Sequence, residues 1–250
     1  MTARKPRDIG RRVIDKVRRL GAGLDLSSES VWPGLRNDLF VAHEAIYHFF
    51  ATLCRGRRVL DAGCGTGYGS ALLAAAGARS VLGVDLSRRS IRFARRRYKS
   101  QRLDFVVGDL ENATLPAGSL DLVVASNVLE HLASPRRFLE PMGTWLSEGG
   151  EAVFAVPPIT NEYQLRLNQD NPFHLSNLAI AEWLDLFREL GWSVRCYRQC
   201  YRANGRELDF GSPRRSPASV TDFEFPASDR DGLYTEATLG ALFHLRRARG

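Results

Sequence analysis

Short solid apolar runs alternate with longer helix-like stretches, and this alternation dominates residues 55–157. Val59-Leu60, residues 80–84, Phe105-Val106-Val107 and residues 120–125 are the runs. Each leads into a polar residue: Asp61, Asp85, Asp109 and Asn127. Runs of this kind predict buried parallel strands. Residues 70–76, 88–98 and 135–146 predict the helices between them. Residues 151–156 predict a fifth strand after the Gly149-Gly150 turn, and Pro157-Pro158 ends it. Strand and helix in regular succession predict an α/β domain with a mostly parallel sheet.

The flanks are less regular. Residues 8–20 place Ile9, Val13, Val17 and Leu20 on one helical face with Arg and Lys opposite. The stripe is narrow and lacks an aromatic residue. It therefore reads as a loosely docked N-terminal helix, with a membrane-surface helix as the weaker reading. Residues 21–34 read as a linker. Residues 38–53 predict an amphipathic helix capped by Asn37, with His43 and Tyr47 one turn apart on it. Residues 159–175 read as a polar loop containing Tyr163, Asn168, Asn171, Phe173 and His174. Residues 178–190 predict the last long helix, stopped by Gly191, and residues 192–201 a strand. Residues 202–235, rich in Arg, Gly, Ser, Pro and Asp, read as an insertion before a last strand at 239–246. The expected organisation is a basic extension and linker at 1–36 followed by one domain at 37–250.

The chemistry concentrates in Val59-Leu-Asp-Ala-Gly-Cys-Gly-Thr-Gly-Tyr-Gly. Strand, glycine turn and helix in that order let a backbone approach a nucleotide-like ligand. A phosphate loop would need Gly-Lys-Ser/Thr, and no Lys lies near. A dinucleotide turn would read Gly-x-Gly-x-x-Gly; here glycines fall at 63, 65, 67 and 69. Asp61 would repel a pyrophosphate and suits a cationic amino acid moiety. Asp85, at the end of the second strand, suits the two hydroxyls of a ribose.

With these residues the chain resembles the class I S-adenosylmethionine-dependent methyltransferases. The resemblance runs through Asp61-Ala-Gly-Cys-Gly-Thr-Gly, Gly83-Val-Asp-Leu-Ser, Val107-Gly-Asp-Leu, Asn127-Val-Leu-Glu-His and Leu146-Ser-Glu-Gly-Gly, over roughly residues 55–200. It implies a Rossmann-like seven-stranded, mostly parallel sheet with helices on both faces and an antiparallel last strand. It implies S-adenosylmethionine as cofactor and S-adenosylhomocysteine as product. By the same resemblance Asp61 holds the methionine amino group, and Gly63, Gly65 and Gly67 bring the backbone against the cofactor. Asp85 takes the ribose hydroxyls and Leu86 packs on the adenine. Asp109 accepts from the adenine amino group with the Leu110 backbone beside it, and Asn127 offers its carbonyl to the methionine end.

Methyl transfer is a direct displacement, so catalytic groups position, exclude water and sometimes remove a proton. Glu130 and His131 follow the fourth strand, and His174 stands in Asn171-Pro-Phe-His-Leu-Ser. Imidazoles ordinarily ionise near ~6.5, which suits a base at neutral pH. These three are the candidate catalytic residues, with helix-start or capping roles as the alternative. Small-RNA 2′-O-methyltransferases and ubiquinone-type O-methyltransferases resemble this region, with Glu-x-x-Glu-His and a later His binding a divalent metal. Asn127 replaces the first Glu here, and a hard cation prefers carboxylates, so the expectation is no bound metal, with weak binding of a transition ion by Glu130, His131 and His174 as the lesser reading. The place after the fourth strand reads Ser126-Asn-Val-Leu, not the Asn/Asp-Pro-Pro-Tyr of adenine or glutamine amino-group methylation, nor the Cys of cytosine-C5 chemistry. The expected reaction is O-methylation of a small molecule such as a sugar, glycolipid or secondary metabolite. RNA 2′-O-methylation and a non-catalytic cofactor-binding module are the alternatives.

Composition adjusts this picture little. The net charge of +7 invites a nucleic-acid reading, but only Lys5, Lys16 and Lys99 are lysines, so 32 of 35 basic residues are Arg. A GC-rich coding sequence gives that skew without selection for phosphate. The clusters at 4–19 and 88–97 read as solvated helix faces. No run of 18 apolar residues predicts a membrane span. Cys54, Cys64, Cys196 and Cys200 lack zinc spacing, and the N-terminus lacks an apolar signal core, so the expectation is a cytoplasmic protein with reduced thiols.

Overall fold

The computed structural model describes residues 32–34, 36–202, 206–235 and 237–247. The expected helix at 8–20 lies outside them. Among the described residues eight strands form one path ordered β3-β2-β1-β4-β5-β9-β6-β7, and a ninth, β8, pairs with β6 off that path. β1 (Arg58–Ala62), β2 (Ser80–Asp85), β3 (Leu103–Val107), β4 (Leu120–Ser126) and β5 (Leu146–Val156) are mutually parallel. β9 (Gly240–Arg247) inserts antiparallel between β5 and β6 (Trp192–Tyr201). The chain winds outward from β1 through β2 to β3, then returns to β4 on the other side of β1. The sheet therefore has its switch point between β1 and β4, where open α/β sheets bind ligands.

The helices are α1 (Asp38–Cys54), α2 (Tyr68–Ala75), α3 (Arg88–Arg97), α4 (Pro135–Trp145), α5 (Glu162–Gln169) and α6 (Ile180–Glu189). Strand alternation sorts the core into two layers. Leu122 and Val124 of β4 face Ile46 and Phe50 of α1, Leu73 of α2 and Ile91 of α3. Val123 and Ala125 face Phe138 and Met142 of α4 and Trp183 and Phe187 of α6. Both faces are buried, which is why these strands are apolar throughout rather than alternating. Asn37 caps α1 by accepting from the Phe40 N–H at 3.0 Å, as its place in the sequence predicts.

Two expectations need correction. The sheet has nine strands rather than seven, because residues 202–235 contribute two-residue strands, β7 (Phe223–Glu224) and β8 (Ala227–Ser228), both antiparallel to β6. The stretch at 159–175 is not all loop: Asn161 caps α5 by accepting from the Gln164 N–H. Its polar composition hid it, because α5 buries only Asn168.

The insertion is also fastened to α1. The buried Asp38 carboxylate accepts from the Arg206 guanidinium at 2.6 and 2.7 Å, from the Asp209 N–H at 2.8 Å and from the Ser216 hydroxyl. Burial raises the Asp38 pKa, but these donors outweigh it and hold the carboxyl below its ordinary range. All four cysteines are free, and burial raises their thiol pKa values.

Candidate active site

Asp61, the penultimate residue of β1 before the glycines, is fully buried. Its carboxylate accepts from the Tyr47 hydroxyl of α1 at 2.9 Å and from the Ser70 hydroxyl of α2 at 2.5 Å. Gly69 makes room for this: a Cβ there would lie 2.2 Å from the Tyr47 ring. Burial raises the Asp61 pKa to about 7; Ser70 and Tyr47 pull it down, and Asp85 adds to the rise. Of the two α1 residues singled out in sequence, Tyr47 reaches Asp61. Ser70 has no sequence signal beyond standing in the first turn after the glycines.

Gly63, Gly65 and Gly67 have φ of +70°, +52° and +80°. Packing adds a second reason for two of them. A Cβ on Gly63 would lie 2.4 Å from Val128, and one on Gly67 2.7 Å from the Phe105 ring. The Gly65 and Ser87 N–H groups each donate to Asp85 at 2.8 Å. Burial raises the Asp85 pKa, while those two donors and the charge of His131 restrain it. Leu86, beside Asp85, is 68% exposed, an apolar side chain left against solvent at the sheet edge. Asp109 accepts from the Glu111 N–H at 3.0 Å and the Asn112 amide at 2.6 Å, capping the turn in which Leu110 is buried. Asn127 has φ +51°, the one non-glycine residue in the left-handed region among the described residues. Such conformations concentrate at functional sites.

Glu130, His131 and His174 are brought together. Their potential ligand atoms lie within 4.8 Å of one another, and the two imidazole centroids are 4.9 Å apart. Backbone latches create this meeting. The Glu130 carbonyl accepts from the Leu175 and Ser176 N–H groups at 2.8 and 2.9 Å, and the Leu132 carbonyl accepts from the Ser176 hydroxyl at 2.6 Å. The His131 Nδ1 lies 2.9 Å from the Phe173 carbonyl oxygen, which can only accept, so this nitrogen carries the proton. The His174 Nδ1 meets Asn168 Oδ1, while the amide of Asn168 donates to Asn177. Each imidazole therefore has its Nδ1 engaged as a donor to a fixed oxygen, which sets the orientation of the ring. Asn168 is thus a positioning residue that nothing in the sequence marks.

This arrangement defines a class: a Rossmann-like α/β enzyme with a nucleotide-type cosubstrate edge at β1 and β2 and a polar cluster beyond β4. Residues 60–154 match the family model described as a methyltransferase domain. A probable S-adenosylmethionine-dependent methyltransferase of Mycolicibacterium smegmatis is 36% identical over 230 residues, 91% of this chain and 87% of the relative. The ubiquinone biosynthesis O-methyltransferase of Coxiella burnetii (strain RSA 493 / Nine Mile phase I) is 34% identical over 104 residues, 41% of this chain and 44% of that one. In fold, the crystal structure of an S-adenosylmethionine-dependent methyltransferase from Mesorhizobium loti superposes with a TM-score of 0.61 at 19% identity, covering 82% of this chain and 98% of that one. The chain belongs to the class I S-adenosylmethionine-dependent methyltransferases, and S-adenosylmethionine is its cofactor.

Proposed function

We propose that this enzyme methylates a hydroxyl oxygen of a small molecule, with His131 or His174 removing the proton. The observation that carries the reading is the pair of imidazoles 4.9 Å apart beside the Glu130 carboxylate, each with Nδ1 turned to a fixed oxygen. Similarity to an enzyme named a ubiquinone biosynthesis O-methyltransferase, over 104 residues, supports oxygen as the acceptor atom. Sugars, glycolipids and secondary metabolites are the acceptor classes this reading favours.

S-adenosylmethionine supplies a methyl carbon on a sulfonium, open to in-line displacement. The chain's own groups would hold and orient it. A buried carboxyl near pKa 7 fits an ammonium, because a cation beside it restores its charge. Asp85 would take the ribose hydroxyls, the exposed Leu86 would pack on the adenine, and Asp109 with the Leu110 backbone would hold its far edge. The left-handed turn at Gly63, Gly65 and Gly67 and the Asn127 carbonyl would hold the methionine end. Glu130, buried behind His131, favours the imidazolium formed when a proton is taken.

The clustering of Glu130, His131 and His174 favours a second reading, a divalent cation held by these three. Such an ion would acidify an acceptor hydroxyl.

Incubation with methyl-labelled S-adenosylmethionine and a bacterial extract, followed by fractionation, tests the reading. Label in small molecules or lipids is expected; RNase-sensitive label would overturn it. His131→Gln and His174→Gln should leave cofactor binding intact, and loss of the base should lower kcat by ~10²–10⁴-fold. Loss of turnover on chelation, restored by one divalent ion, would select the metal reading over the base.

A further inference from the structure

The α3 helix carries a charge pattern that neither folding nor methyl transfer explains. Arg88, Arg89, Arg92, Arg95 and Arg96 are all exposed, and with Lys99 just beyond the helix they span an arc of about 120°. Ser90, Ile91 and Ala94 on the opposite side are buried. No acid stands on the helix. Arg88–Arg92 and Arg92–Arg96 are like-charged neighbours one turn apart, and Arg88 and Arg89 sit at the positive end of the helix dipole; both arrangements oppose helix formation. The other surface helices pair their charges: Arg136 with Glu140 and Glu189, Arg166 with Glu162, Arg188 with Asp185. Arg95 is used internally, donating to the Phe105 carbonyl at 2.6 and 2.8 Å. Arg88, Arg92, Arg96 and Arg97 are in no ion pair among the described residues. A GC-rich gene accounts for Arg in place of Lys, but not for a face without a single acid.

Two further features adjoin this face. A cleft at the C-terminal end of α3 has a floor of Ala71, Ala74 and Ala75 and a rim that includes Arg97, Lys99 and Ser100. The rim extends the cationic surface past the end of the helix. The chain also reaches the fold here: Trp32 packs edge-on against Phe93 at 5.0 Å, under the Arg89 guanidinium. The residues before Trp32 include Arg11, Arg12, Lys16, Arg18 and Arg19 interleaved with Ile9, Val13, Val17 and Leu20. Their composition is the one from which the sequence allows a membrane-surface segment as the weaker reading.

We propose that the α3 face docks the enzyme on an anionic phospholipid surface. Charge complementarity supplies the attraction, since each Arg near an anionic leaflet adds to binding and the sum is screened by salt. A convex helix with five of its six arginines on one side meets a surface. It offers no groove lined with exposed rings on which the bases of a single strand would stack. The inference is independent of which small molecule is methylated.

Vesicle co-sedimentation of the full chain tests it. Vesicles with about 30% phosphatidylglycerol should retain the protein at about 0.1 M salt and release it at about 0.5 M. Pure phosphatidylcholine vesicles should not retain it. The quadruple variant R88Q/R92Q/R96Q/R97Q should bind at least ~10-fold more weakly while keeping its cofactor affinity. A control removing four arginines elsewhere, R136Q/R166Q/R188Q/R202Q, should bind as the parent does. Equal loss in both variants would reduce the effect to net charge and overturn the proposal. So would retention by the α3 variant, or RNA binding that is abolished by the α3 changes and displaces the protein from vesicles.

Discussion

Asp61 is the residue on which the cosubstrate edge turns, and its environment predicts a pH dependence. Its folded pKa, about 7, is raised by burial above the ordinary carboxylate value. The folded apoprotein therefore binds more protons than the unfolded chain, and stability falls as pH rises from about 4 to 7. A cationic amino group favours the ionised form, so binding below pH 7 must release a proton. Calorimetric affinity for S-adenosylhomocysteine should weaken as pH falls below about 7, approaching tenfold per unit. Asp61→Asn should flatten this profile. Tyr47→Phe should shift its midpoint upward, because the Tyr47 hydroxyl favours the ionised carboxyl. A flat profile in the parent enzyme would remove Asp61 from the ammonium site. Asp61, the glycines and Asp85 are legible in the sequence because a buried strand, a glycine turn and a helix are local signals. Tyr47, Ser70 and Asn168 are not, since each gains its role only when distant elements meet.

At the scale of elements, α1 links two regions. Its first residue, Asp38, holds the insertion through Arg206 and Ser216, and its third turn delivers Tyr47 to Asp61. Asp38→Asn should loosen residues 206–222 and weaken cofactor binding together. Limited proteolysis should then cut the insertion faster than in the parent, with the added cofactor slowing it. The contribution of Asp38 is present above its unfolded pKa near ~3.9 and is lost as pH falls through its lower folded value. Cutting that is unchanged would mean the insertion stands without this clamp. The insertion was visible in sequence as a shift in composition. Its strands were not, because two residues carry no period and their register is set by β6. The α5 helix was hidden for the opposite reason: its exposed Tyr163 and Leu167 leave no stripe toward the core.

For the molecule as a whole, the two layers of core set stability. Phe154 is fully buried between Phe138 and Phe187, at 6.3 and 6.1 Å. Phe154→Ala should destabilise by ~3–5 kcal/mol. At ~2–4 °C per kcal/mol that is a drop of roughly 6–20 °C in Tm, readable by calorimetry. The topology was the most legible property, because apolar runs ending in polar residues report parallel strands whatever the surroundings. The order β5-β9-β6 carries a consequence for biosynthesis. The strand between β5 and β6 is made after both, so a ribosome-bound chain holds two strands that do not pair with each other, each with the edge that β9 will fill left bare. Until β9 leaves the exit tunnel, the β5 edge is a template for a neighbouring nascent chain, and chaperone protection would matter most in that interval.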